Sequence, residues 1–275
     1  MASMSTVYLI CATPRSGSTL LCEALKATGV AGRPEEYFEA VAATGRPPRP
    51  EDYLAGLDDY EALALLGDAA PPAPPAYSSL AGIARYDEHL RRVREWGTTP
   101  NGVFGAKLMW DHLGRLQALV ADRPPRELLT GLFGQPRYVW VRRADVVRQA
   151  ISLWRAMQTQ SWRDDSADGR PGGPPPRYSL PALRHLVARL TDHNACWAEL
   201  LAATGAPVLE VTYEEVTADL ARALERTLDH VGVPLPADWP PPLPRMRRQA
   251  DGLSETWVAA YLRGATDPRP LPSVT

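Results

Sequence analysis

The densest chemistry in the 275-residue chain lies between Val7 and Ala27. The apolar run Val7-Tyr8-Leu9-Ile10-Cys11 leads into Ala12-Thr13-Pro14-Arg15-Ser16-Gly17-Ser18-Thr19, and Leu20-Leu21-Cys22-Glu23-Ala24-Leu25 follows with helical spacing. A strand, a tight loop and a helix N-terminus make a phosphate cradle, because unpaired backbone N–H groups and the positive helix end converge on an anion. Gly17 lets the backbone approach an oxyanion. Ser16, Ser18 and Thr19 bring hydroxyls, and Arg15 brings a charged fork. Against the nucleotide-hydrolase pattern G-x-x-x-x-G-K-[ST], Gly17 and Thr19 fit, but Ala12 stands at the first glycine and Ser18 at the lysine. That lysine reaches the β- and γ-phosphates of a nucleoside triphosphate, so its loss argues against ATP or GTP. Arg142-Arg143 also end a strand where a hydrolase would carry a magnesium-binding Asp.

Further candidates are carboxylates and isolated cations. Glu35, Glu36 and Glu39 form an acidic cluster, and a carboxylate within reach can take the proton of a weak nucleophile such as an alcohol. The residues alone do not choose among the three. Lys107 is one of two lysines, with Lys26, in a chain that holds 28 arginines. Its neighbours are apolar, which predicts an ammonium at a strand end, where it would either neutralise substrate charge or form a structural ion pair. Arg142 and Arg143 are adjacent and face opposite ways in a strand, so either could meet a ligand. With no evident Ser-His pair, direct transfer without a covalent enzyme intermediate suits this set.

These residues need elements to hold them. Apolar segments at 7–11, 103–108, 138–141 and 208–211 read as buried strands, and 18–27, 80–96, 144–157, 180–203 and 218–231 read as helices. Alternating strands and helices predict an α/β fold with a parallel sheet covered on both faces. Pro-, Ala- and Gly-rich stretches at 45–50, 69–76 and 164–177 interrupt the pattern; the last two read as mobile loops. The third follows a helix bearing Trp154 and Trp162 and is a candidate lid or a plain insertion. No stretch separates two obvious cores, so one domain over 1–275 is expected.

Composition bounds the partners. Twenty-eight prolines are about twice the usual share of roughly 5%, yet 45% apolar residues and a net charge of -2 argue for a folded core. The balanced charge gives no nucleic-acid footprint, which needs a basic excess. No apolar run approaches the roughly 18 residues of a membrane span, and no signal peptide is apparent. Cys11, Cys22 and Cys196 are odd in number, and neither they nor the scattered histidines His89, His112, His185, His193 and His230 have metal-ligand spacing. A reduced, cytoplasmic protein without a metal site is expected.

Several ordered blocks together resemble the Stf0 sulfotransferases: T-P-R-S-G-S-T-L-L-C at 13–22 with the segment 24–38, P-N-G-V-F-G-A-K-L-M-W at 100–110, R-A-D-V-V-R-Q-A-I-S at 143–152, and Arg248-Gln249-Ala250-Asp251 with Trp257. The resemblance implies a P-loop-like sulfotransferase fold. It also implies 3′-phosphoadenosine-5′-phosphosulfate (PAPS) as sulfuryl donor, released as PAP, with no metal. Arg15, Ser16, Gly17, Ser18 and Thr19 would hold the donor's 5′-phosphate and sulfonate, with Arg15 also stabilising the leaving phosphate. Arg143 and Ser152 would hold the 3′-phosphate, with Arg142 as the rival of Arg143; Arg148 stands where the related pattern can carry a Ser. Tyr213 would contact adenine, and Arg248, beside Arg247, would lie near the 3′-phosphate.

The same resemblance chooses Glu36 as catalytic base, with Lys107 beside the chemistry. Pro14, Arg33, Glu35, Glu36, Tyr37, Phe38, Glu39, Pro48 and Tyr53 would line a pocket for a hydroxyl-bearing carbohydrate or small metabolite. Members acting on trehalose tend to carry Gln at the place of Pro14 and an acidic residue at that of Arg33. Here an amide is lost and a charge reversed, so Arg33 either suits an acidic acceptor or faces solvent. A homodimer sharing pocket residues is also implied. The alternatives are a P-loop phosphotransferase of the nucleotide-kinase type and a catalytically silent nucleotide-binding protein.

Overall fold

Four segments rich in Val, Ile, Leu and aromatic residues form one parallel sheet: β1 (Thr6–Ala12), β2 (Val103–Met109), β3 (Arg137–Arg142) and β4 (Val208–Thr212), in the order β2-β1-β3-β4. All four match the expected strands to within a residue or two. The computed structural model describes residues 6–39, 50–66, 86–119, 123–162, 175–236, 239 and 252–266. These group into two compact units.

The sheet belongs to the first unit, with 6–39, 86–119, 123–144, 191–236 and 239. Period-2 alternation sends Leu9, Cys11, Phe104, Ala106, Leu108 and Tyr138 to one face, and Tyr8, Ile10, Val103, Met109, Val139 and Val141 to the other. The first face packs against α3 (Tyr86–Gly97), α4 (Trp110–Leu119), α5 (Pro125–Phe133) and the end of α7 (Leu180–Thr204). The second is covered by α1 (Ser18–Ala27), α8 (Tyr213–Ala218) and α9 (Leu220–Val231). With both faces dry, every residue of β2 is buried, the rule for a parallel sheet.

Strand order reverses at β1, whose neighbours β2 and β3 are reached in opposite directions along the sheet. The crevice outside the carboxyl ends of such a pair is where α/β sheets bind ligands. β1 ends there in the loop before α1, and the Trp197 indole N–H donates to the Ala12 carbonyl at 2.9 Å, fixing the exit. β2 is an edge strand, and residues 31–37 run along its open side. The Lys107 N–H donates to the Glu35 carbonyl, and the Arg33 N–H to that of Gly97, both at 2.9 Å. The edge is thereby covered.

The second unit holds 50–66, 145–162, 175–190 and 252–266. A 3₁₀ turn (Pro50–Leu54), α2 (Tyr60–Ala64), α6 (Val146–Thr159), the start of α7 and α10 (Gly252–Thr266) enclose Leu54, Ile151, Trp154, Leu186 and Trp257. Trp162 lies beyond the end of α6, not on it as the sequence suggested, because Gln160 turns left-handed (φ 56°) and stops the helix. The helix expected over 218–231 is α9, which starts two residues later because Asp219, at φ -152°, ends α8 and caps α9. Of the stretches that interrupt the pattern, 45–49, 69–76 and 164–174 lie outside the described residues. Among the described residues no helix is long and apolar enough to cross a membrane.

One close approach links the sheet to the segment carrying the glutamates. The Tyr8 ring crosses over Gly105, and its hydroxyl donates to the Ala31 carbonyl at 2.6 Å. A Cβ at Gly105 would stand 2.6 Å from that hydroxyl oxygen and 2.7 Å from the ring. Tyr8 is fully buried and cannot give way cheaply. Gly105→Ala is therefore expected to destabilise the protein by about 1–3 kcal/mol, read as a lower urea midpoint; an unchanged midpoint would contradict this packing.

Candidate active site

The loop after β1 is shaped for an anion. Arg15 and Gly17 have positive φ (63° and 84°) and Ser16 does not, so φ alternates in sign as in backbone nests that gather N–H groups. Gly17 is the N-cap of α1 and brings no side chain to its first turn, leaving the N–H groups there to an external partner. The Ser16 hydroxyl is fully buried and has no hydrogen-bond partner among the described residues, a costly arrangement for a polar atom unless a ligand satisfies it. Pro14 and Ser18 are buried; Arg15 and Thr19 are partly exposed.

Two aromatic and cationic groups flank the loop. The Tyr213 ring abuts Gly17, where a Cβ would come within 2.9 Å of it, and the Arg143 guanidinium lies over that ring, 4.1 Å from its centroid. Arg142 points elsewhere, its Nε donating to Glu210 Oε1 at 2.5 Å. Of the two adjacent arginines, Arg143 is the one beside the loop.

Chemistry-bearing side chains meet on the other side of α1. Lys107 is 3% exposed within β2 rather than at its end. By alternation it faces α1, donates to Thr19 Oγ1 at 3.0 Å and pairs with Glu36 Oε1 at 2.6 Å. Burial pulls the ammonium's pKa down, but the charge and hydrogen bond of Glu36 outweigh it, and the net shift is upward. Lys107 is protonated at neutral pH. The neighbouring Cys22 thiol is pushed up to about 12 by burial and carries no charge there. Lys26, the other lysine, pairs with Glu35 and with Glu23. Each lysine thus holds one of two adjacent glutamates, and only Glu36 is joined to the phosphate loop by its lysine.

Glu36 has a third neighbour. Its Oε2 faces His112 Nε2 at 3.8 Å. His112 sits in the first turn of α4, 2% exposed, and its Nδ1 accepts the Met109 N–H at 3.2 Å. The sequence reading counted His112 among scattered histidines. Only its spacing of five from Lys107 hinted otherwise, and that spacing has meaning only once β2 is known to run straight into α4.

The remaining acceptor candidates separate by environment. Tyr37 and Phe38 are core residues, 2% and 0% exposed; the Tyr37 hydroxyl donates to the Arg33 carbonyl at 2.7 Å, and Phe38 packs edge-on to Phe133 and His89. They anchor the turn in which the Glu39 N–H donates to the Glu36 carbonyl at 3.0 Å. Arg33 is exposed, its Nη1 donating to the carbonyls of Trp96 and Thr98 at 3.2 and 3.3 Å. Ser152, on α6, and Tyr53, whose ring tilts against Trp162, belong to the second unit. So does Arg148, which pairs with Asp145 and Glu255. Pro48, Arg247 and Arg248 lie outside the described residues.

The loop that ends β1 is thus joined through Lys107 to a paired carboxylate at the edge of one parallel sheet. The sequence profile described as Stf0 sulphotransferase matches residues 7–264, across both units, and the chain belongs to that family. It is 38% identical over 268 residues to a trehalose 2-sulfotransferase of Mycobacterium tuberculosis, covering 92% of this chain and 93% of the relative. It is 34% identical over 276 residues to a trehalose 2-sulfotransferase of Mycolicibacterium smegmatis, covering 96% and 97%. Solved structures similar to it include a sulfotransferase from Mycobacterium avium (TM-score 0.46, 15% identity, 98% of this chain and 70% of that one). Another is the sulfotransferase domain of the curacin biosynthetic pathway (TM-score 0.47, 15% identity, 99% and 95%). The chain is a sulfotransferase, which sets aside the nucleotide-kinase alternative.

The Lys107–Glu36 pair has a direct test. Lys107→Met leaves a carboxylate facing a buried apolar group and should cost on the order of 2 kcal/mol. Adding Glu36→Gln should recover part of that loss in a double-mutant cycle of denaturation midpoints. Additive single effects would mean the pair does not form in solution.

Proposed function

We propose that the enzyme moves a sulfuryl group from PAPS to a hydroxyl of a carbohydrate, with Glu36 as general base. The observation that carries this reading is the Lys107 side chain, which bonds Thr19 of the phosphate loop and Glu36 together. One side chain thereby links the donor's loop to the carboxylate that would take the acceptor's proton.

The fit to the donor rests on the buried Ser16 hydroxyl, the uncapped start of α1 and the two separate arginines. Arg15 to Thr19 would hold the 5′-phosphate and sulfonate, and Arg143 the 3′-phosphate, with Tyr213 fixing the guanidinium from one face. PAPS, when bound, supplies the sulfuryl group and leaves as PAP. Arg15 would stabilise the negative charge that gathers on the departing phosphate. Glu36 would accept the hydroxyl proton as the new S–O bond forms. Lys107 stays protonated, so it serves as counter-charge rather than as base. Glu35, held by Lys26, is the weaker candidate for that proton.

Two relatives named trehalose 2-sulfotransferases support a carbohydrate as acceptor. Pro14 offers no side-chain donor and Arg33 adds a positive one, so trehalose is the first acceptor to try within a wider screen. The enzyme incubated with PAPS and candidate sugars should add the mass of one sulfuryl group to a sugar, read by mass spectrometry. No gain on any sugar would overturn the acceptor class. PAP should bind in preference to ATP by calorimetry, because Ser18 replaces the lysine ATP needs; preference for ATP would sink the donor reading. Glu36→Gln should keep PAP binding while transfer falls by a factor of roughly 10² or more. Unchanged turnover would move the base elsewhere.

A further inference from the structure

Of the side chains expected to meet the acceptor, Tyr37 and Phe38 are core, and Arg33 is turned to the carbonyls of Trp96 and Thr98. A sugar presents an apolar C–H face and a rim of hydroxyls. Its site therefore needs an aromatic surface with a few well-placed polar groups. The first unit offers both at the carboxyl ends of β1 and β2, in the crevice where the strand order reverses.

Two elements meet the exit of β1 there. Trp110 opens α4 one residue beyond Met109, the β2 partner of Ala12. On α7, Asn194 and Trp197 are three residues apart and share a face. Trp197 donates to the Ala12 carbonyl at 2.9 Å, and the Asn194 Oδ1 accepts from the Thr13 hydroxyl at 3.4 Å. The Trp110 ring stands edge-on to Trp197 with centroids 5.2 Å apart. Trp197 is fully buried, whereas Trp110 keeps part of its ring open. The next residues along each helix meet across the same seam, Asp111 and His193 approaching to 3.8 Å. His112, in the same turn of α4, comes equally near Glu36, at 3.8 Å, so that turn borders both the seam and the proposed base.

Asn194 is partly exposed, and Thr13 occupies only its carbonyl oxygen. Among the described residues its Nδ2 has no protein hydrogen-bond partner, nor has the indole N–H of Trp110. Both groups are hydrogen-bond donors, one placed by α7 and Thr13, the other by the edge of Trp197.

We propose that Trp110 and Asn194 form the acceptor's subsite. The open part of the Trp110 ring takes the C–H face of a sugar, and Asn194 Nδ2 donates to one of its hydroxyl oxygens, which selects the hydroxyl presented to Glu36. The proposal rests on reading the acceptor as a carbohydrate, and its test separates the two.

The full-length enzyme, 15N-labelled at tryptophan and asparagine, is titrated with trehalose and separately with glucose, with and without PAP. The side-chain signals are assigned by their loss in Trp110→Phe and Asn194→Asp. The expected result is saturable movement of both under a sugar. Movement of other signals while these two stay still overturns the subsite and leaves the carbohydrate reading standing. No movement under either sugar overturns the subsite as well, and a sulfated sugar in the transfer assay then decides the carbohydrate reading alone. Substitutions separate recognition from the tie between α7 and the loop. Asn194→Asp keeps the oxygen that Thr13 uses and loses the donor. KM for the sulfated sugar should rise roughly fivefold or more, with kcat within a few-fold and PAP affinity unchanged. Trp110→Leu should raise the same KM. An unchanged KM in Asn194→Asp, with PAP affinity lost in Asn194→Leu, would assign Asn194 to holding the loop and overturn the proposal.

Discussion

A protonated amine enclosed in an all-buried strand governs this site. An ammonium taken out of water must be paired and hydrogen-bonded, or it gives up its proton. Lys107 is paired on two sides, by Glu36 from the segment along the edge of β2 and by the Thr19 hydroxyl at the start of α1. Both partners come from the elements proposed to serve donor and acceptor. The pairing that relieves the buried charge therefore also sets the distance between the phosphate loop and the carboxylate. The Glu35 carbonyl on the Lys107 N–H holds the same segment by its backbone, so the position of Glu36 is fixed twice.

Charge elsewhere in the first unit is divided with similar economy. The near-neutral chain has few lysines, and both are spent on the glutamate pair. Arginine, with its planar fork, meets varied partners: Arg33 and Arg94 donate to backbone carbonyls, and Arg143 lies on an aromatic face. Arg15 lies in the loop itself, while Arg143 is laid on Tyr213, whose ring in turn fills the space beside Gly17 that any side chain there would need. A glycine in the loop, an aromatic ring and an arginine are thus stacked in sequence, and each makes room for or supports the next. The neighbouring Arg142 is drawn off by Glu210, which keeps the two arginines from competing.

Much of the fold was legible because its signals are local. The four strands are short apolar runs bounded by polar residues, and α1 begins at the Ser-rich loop where an N-terminus was expected. Elements without such punctuation were not read: α4 starts at Trp110, immediately after β2, and α10 starts at a glycine. The tight turn between β1 and α1 was legible for the same local reason. The pairing of Glu35 and Glu36 was not, because which lysine reaches which carboxylate is decided across the edge of the sheet. His112 was invisible on similar grounds: a lone histidine acquires meaning only when its two nitrogens are placed against Met109 and Glu36. Tyr37 and Phe38, adjacent to the glutamates in sequence, look like pocket lining until the core that buries them is seen.

The central claim is that Lys107 joins the donor's loop to the carboxylate. A crystal structure of the enzyme with PAP bound tests it most directly. The account predicts the 5′-phosphate on the backbone N–H groups of residues 15–19, with Lys107 still bridging Thr19 and Glu36. PAP bound away from that loop, or Lys107 turned from Glu36 in the complex, would contradict it.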